Sequence, residues 1–67
     1  MSIARVTEIS ATHSDSFDAA VAEGIARANQ TLRNVKSAWV KEQRVQVTDG
    51  KIDYYQVNLM VTFVLED

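Results

Sequence analysis

The chain has no cysteine and no proline, and its 67 residues include only two glycines, one histidine and one tryptophan. Without cysteine there is no disulfide framework, no thiolate zinc site and no cysteine nucleophile. The two glycines, Gly24 and Gly50, stand far apart and in the wrong contexts for a phosphate-cradling loop, so nucleotide motifs of that kind are excluded. His13 lies among turn residues and reads as a loop or capping residue. No catalytic triad can be built around it, and the chain reads as a protein that is not an enzyme. Seven Lys and Arg against nine Asp and Glu give a net charge of -2, with the cations scattered. That pattern leaves no basic footprint for nucleic acid. No apolar run approaches the roughly 18 residues of a membrane span, and the first six residues lack the charged start and apolar run of a signal peptide. The cytoplasm is the expected location. A chain of this length has room for a single domain, 1–67, near the size at which assembly supplies burial that a small core lacks.

What is present is a strong hairpin. The runs Val35–Val47 and Ile52–Leu65 flank Asp49-Gly50, a turn pair that predicts a type I′ two-residue loop. Alternate residues Tyr55, Val57, Leu59, Val61, Phe63 and Leu65 form an apolar row that faces a core. With Thr48 opposite Lys51, an unbroken register sets Trp39 opposite Met60, Gln43 opposite Gln56 and Val45 opposite Tyr54. The second face therefore carries Trp, Met, Tyr and Val among polar groups, and it needs a partner or a ligand. Upstream, Ile3–Ile9 reads as a first strand, rich in β-branched residues. Residues 10–16 break that pattern and offer Ser14 as a helix N-cap, with Asp15 and Asp18 in the first turn. Phe17, Ala20, Val21, Gly24, Ile25, Ala28 and Leu32 then follow helical spacing. Gly24 on that stripe predicts close contact between helix and sheet. Asp15, Asp18 and Glu23 cluster near the helix start, but their spacing is not that of a calcium loop, and dipole stabilisation explains them as well. The expected fold is α+β with the order β-α-β-β: one helix against a three-stranded antiparallel sheet whose last strand is central.

Three stretches carry a family resemblance: Thr31-Leu32-Arg33-Asn34-Val35, the strand ending Val40-Lys41-Glu42-Gln43-Arg44, and the close from Tyr55 to Glu66. With Ala19-Ala20-Val21 and Ile25-Ala26-Arg27-Ala28 in the helix, they resemble the dodecins over nearly the whole chain. The resemblance implies a sheet wrapped around one helix, assembled as a hollow homododecamer that stores or sequesters a flavin such as FMN or riboflavin. It also implies roles for particular residues. Gln56 matches a glutamine that hydrogen-bonds the flavin ring, and Arg44 matches a basic position near it. Arg27 and Arg33 match positions associated in some members with a coenzyme A type ligand.

One position departs from the pattern. Counted from Thr31, the tryptophan that stacks on the flavin should fall at Ser37, whereas this chain has Trp39. Two residues along a strand keep the same face but move the ring by about 6.6 Å. Trp39 then has two readings, an anchor in a subunit interface or a displaced flavin platform working with Gln56 of another subunit. The matching alternative for the whole protein is a dodecin-like assembly without flavin, with a divalent ion such as calcium as a further expectation.

Overall fold

The structure is a computed structural model that describes residues 3–65. Its order is β1 (Ala4–His13), α1 (Phe17–Thr31), β2 (Val35–Thr48) and β3 (Lys51–Val64). The three strands form one antiparallel sheet in the order β1-β3-β2, with the most apolar strand in the centre as expected. Both ends of the helix have local causes. The Ser16 hydroxyl oxygen accepts the Ala19 N–H at 3.0 Å, and Asp18 sits in the first turn, where the dipole favours an anion. At the other end the Leu32 N–H donates to the Ala28 carbonyl at 2.8 Å as the chain turns extended.

Two expectations are corrected here. The first strand runs on to His13, because Ser10 and Thr12 alternate with the half-buried Ala11 and His13, a strand pattern that resembles a polar loop by composition alone. The cap is Ser16, and neither Ser14 nor Asp15 belongs to the helix. Asp15 instead donates its backbone N–H to His13 Nδ1 at 3.0 Å, while His13 Nε2 lies 3.3 Å from Glu23 Oε2. His13 therefore ties the end of β1 to α1.

The core lies between α1 and the inner sheet face, built from Ala20, Val57, Leu59 and Val61 with Ile9, Ala11, Phe17, Val21, Ile25 and Ala38 packed around them. The helix touches the sheet along Ala20, Gly24 and Ala28, small residues one turn apart that allow close approach. At Gly24 a Cβ would lie 3.1 Å from the Ala11 Cβ and 3.2 Å from a Leu59 methyl, the contact expected from the sequence. Tyr55 closes the core at the helix start, its ring 5.1 Å edge-on to Phe17.

The hairpin is far longer than the helix. Fourteen residues per strand span about 48 Å, against about 22 Å for a 15-residue helix. Pairing of β1 ends at His13 opposite Tyr55, so residues 46–54 stand beyond both the third strand and the helix. The molecule is accordingly elongated, 51 × 19 × 14 Å, with a radius of gyration of 13.8 Å. A compact chain of this length would have about 11 Å.

Candidate functional site

The candidate site is the outer sheet face, opposite the helix. Asp49 and Gly50 both take positive φ, 53° and 75°, which is the type I′ geometry, and Thr48 pairs with Lys51 as predicted. From there the register is not straight. Asp53 is an extra residue on β3, between the pairs Val47–Ile52 and Gln46–Tyr54, and Lys41 is an extra residue on β2, between Val40–Leu59 and Glu42–Asn58. The two bulges cancel, so Trp39 does lie opposite Met60. Between them every pair is displaced by one. Gln43 faces Val57 and Val45 faces Tyr55, both on the core side, which corrects the expected Gln43–Gln56 and Val45–Tyr54 pairs. The same shift turns Glu42 and Arg44 outward, so that Arg44 is the residue opposite Gln56.

The outer face thus gathers Ser37, Trp39, Arg44 and Gln56, four of the six residues singled out from the sequence. Ser37 pairs with Thr62 two pairs beyond Trp39–Met60. The indole is 52% exposed although it is the largest side chain of the protein. Gln56 donates Nε2–H to the Ser10 hydroxyl at 2.8 Å, which fixes the amide across the β1–β3 pair and leaves its Oε1 for an outside donor. Gln56 and Met60 are four residues apart on β3, so the amide and the indole are separated by about 13 Å along one protomer. Between them lies a charged strip. Lys41 Nζ is 3.2 Å from Glu8 Oε1, Asn58 Nδ2 donates to Glu42 Oε1 at 3.2 Å, and Arg44 approaches Glu42 at 3.9 Å. The Asn58 Oδ1 is buried without a hydrogen-bond partner.

The other two residues lie elsewhere. Arg27 borders a groove between α1 and the free edge of β1, lined also by Ile9, Ala11, Glu23, Ala28 and Thr31. Arg33 is exposed in the connection from α1 to β2. Sequence reasoning missed Ser10, Glu42 and Asn58. Ser10 could have been found from the alternation through residue 13, whereas Glu42 came to this face only through the bulge at Lys41. Among the described residues no three His, Asp or Glu side chains gather in a metal-holding cluster, and no helix is long and apolar enough to cross a membrane.

Residues 3–66 match the dodecin family profile. The chain belongs to the dodecin family. It is 37% identical over 60 residues to a dodecin from Thermus thermophilus, covering 90% of this chain and 87% of that one. Its fold is similar to the dodecin from Streptomyces davaonensis, with a TM-score of 0.93 at 41% identity over 98% of this chain and 97% of that chain. It is also similar, with a TM-score of 0.82 at 32% identity over 96% and 91%, to a calcium dodecin from Mycobacterium tuberculosis described as calcium-chelating with a novel calcium-binding site. The expected β-α-β-β architecture is thus a dodecin architecture.

Proposed function

We propose that this dodecin binds a flavin, FMN or riboflavin, and stores or sequesters it without turnover, inside a cytoplasmic homododecameric shell. The observation that carries the reading is the convergence of Trp39, Arg44 and Gln56 on one uncovered sheet face. An exposed indole is a stacking platform for a flat aromatic ring, and a fixed amide supplies one hydrogen bond of defined direction. Because indole and amide are about 13 Å apart in one protomer, a single ring would be held by Trp39 of one copy and Gln56 of another. Arg44, beside Gln56, is a cation for a phosphate on the flavin chain. Arg27 and Arg33 take no part in that site and would serve a separate anionic ligand of the coenzyme A type. A bound flavin would supply a planar ring that the indole quenches by contact, and sequestration requires no proton transfer by the protein.

The test is titration of riboflavin and FMN with the protein while flavin emission is followed. Strong quenching at micromolar protein, reduced at least tenfold in apparent affinity by Trp39→Ala, supports the reading. Unchanged emission sinks it. Ser37 at the family's stacking position favours a second reading, in which the shell carries no flavin and Trp39 is an interface anchor. Calcium then becomes a candidate ligand through the likeness to the calcium-chelating relative, and isothermal titration with calcium separates the two.

A further inference from the structure

We infer that His13 couples proton uptake to anion binding in the groove between α1 and β1, because its protonated ring holds the charge of Glu23 away from Arg27. The inference rests on the reading that gives Arg27 an anionic ligand of the coenzyme A type, and it names the group that regulates that site. The geometry starts at the end of β1. The His13 side chain is 26% exposed, so protons reach it, and both of its ring nitrogens are engaged. Nδ1 accepts the Asp15 N–H at 3.0 Å, so the proton of the neutral ring belongs on Nε2, which lies 3.3 Å from Glu23 Oε2. Glu23 and Arg27 both line the groove. Four residues apart on α1, they are neighbours on one helix face, separated by a rise of about 6 Å. Glu23 is thus the neighbour of both an imidazole and a guanidinium.

Protonation changes both sides of the ring. The Nε2–H bond to Glu23 becomes charge-assisted, which holds that carboxylate toward β1 and offsets its charge. At Nδ1 a donor replaces the acceptor and the Asp15 N–H is released. The Asp15 carboxylate, whose Oδ2 already lies 3.9 Å from Nδ1, is placed to accept the new N–H. Tyr55, opposite His13 across the β1–β3 pair, also faces the ring, and a phenol brings no charge at neutral or acid pH. Beside a neutral imidazole this end of the groove sets two carboxylates, Asp15 and Glu23, against the Arg27 guanidinium; beside an imidazolium the charges balance. An anion at Arg27 is therefore held more tightly as pH falls, and by reciprocity its binding takes up protons.

His13 is the only histidine of the chain, which makes the coupling readable by titration calorimetry. The probe is dephospho-coenzyme A, whose diester pyrophosphate keeps its charge, whereas a phosphomonoester would itself titrate at about pH 6. Between about pH 7.5 and about pH 5.5 an ordinary histidine gains its charge. Over that span affinity is expected to rise about threefold or more, the weight of one unit charge roughly 6 Å away in water. Buffers of different ionisation enthalpy are expected to reveal proton uptake on binding in the middle of the span. His13→Asn keeps an acceptor for the N–H two residues on but cannot titrate, so its affinity is expected to stay flat and its binding to take up no proton. Glu23→Gln is expected to bind at the upper pH as tightly as the parent does at the lower, and Arg27→Gln to weaken binding at both. Parent binding that ignores pH, a pH dependence that survives in His13→Asn, or no gain in Glu23→Gln overturns the coupling and leaves the ligand at Arg27 standing. A probe that binds at neither pH, or binding that Arg27→Gln leaves unchanged, overturns that ligand and the coupling with it.

Discussion

At the scale of single residues, Gln56 is the group whose chemistry is most constrained. Its Nε2–H is engaged by Ser10 at 2.8 Å, so the amide cannot rotate freely and its oxygen remains as an acceptor. Gln56→Leu keeps the volume and removes both functions. A neutral hydrogen bond contributes about 0.5–1.5 kcal/mol net, so flavin affinity is expected to fall roughly two- to tenfold, 1.4 kcal/mol being tenfold. Sedimentation should be unaffected. Fluorescence titration beside the parent protein checks this, and unchanged affinity would remove Gln56 from the site. Trp39 differs in kind, since its ring carries area rather than direction and its displacement from Ser37 would alter where a ring stacked on it lies. The Trp39→Ala titration therefore tests position, and the Gln56→Leu titration tests orientation.

At the scale of elements, α1 packs closely on β1 and β3, and Gly24 lies at a tight point of that contact. Gly24→Ala gains about 1 kcal/mol of helix propensity. Against that, the new methyl would stand 3.1 Å from the Ala11 Cβ, which is fixed to the β1 backbone, and 3.2 Å from buried Leu59. Overpacking of this kind costs about 1–3 kcal/mol, so the expected net change is a loss of roughly 0–2 kcal/mol. Chemical denaturation at matched protein concentration checks it, and a more stable variant would show that the helix can lift away. Much of this level was legible in the sequence. Asp49-Gly50 fixed the turn, the alternation from Val57 to Val61 fixed the inner face of β3, and Gly24 announced the close contact. The bulges were not legible, because nothing in the composition at Lys41 or Asp53 distinguishes an extra strand residue from a paired one. Their effect on the candidate site was large: Trp39 and Gln56 lie on the expected face, but Glu42 and Arg44 stand on it where Gln43 and Val45 were expected, and Gln56 faces Arg44 in place of Gln43. Lysine at the bulge has a further use. On the edge strand β2 a bulge and a charge both discourage ladder extension by another chain, which directs association toward faces and grooves.

At the scale of the molecule, the protomer has a small core for its length. Among the described residues the buried apolar side chains are Ala20, Ala28, Val57, Leu59 and Val61, and only three of these exceed alanine in size. Meanwhile Trp39, Val47 and Ile52 are more than half exposed, and a third of the hairpin has neither helix nor third strand behind it. In the proposed shell, folding would draw on surface buried between copies, and unfolding would be coupled to dissociation. Mass action then makes the thermal midpoint depend on concentration. For strong coupling, each tenfold dilution removes at most about 1.4 kcal/mol per protomer. A domain of this size shifts by about 4–8 °C per kcal/mol, so a hundredfold dilution is expected to lower the midpoint by roughly 10–20 °C. Circular dichroism at high concentration and tryptophan emission at low concentration cover the range, the single Trp39 being the probe on the outer sheet face. A midpoint that stays constant over that range, with sedimentation showing a folded monomer, would mean that the small core suffices and that the outer face is covered by nothing of its own kind.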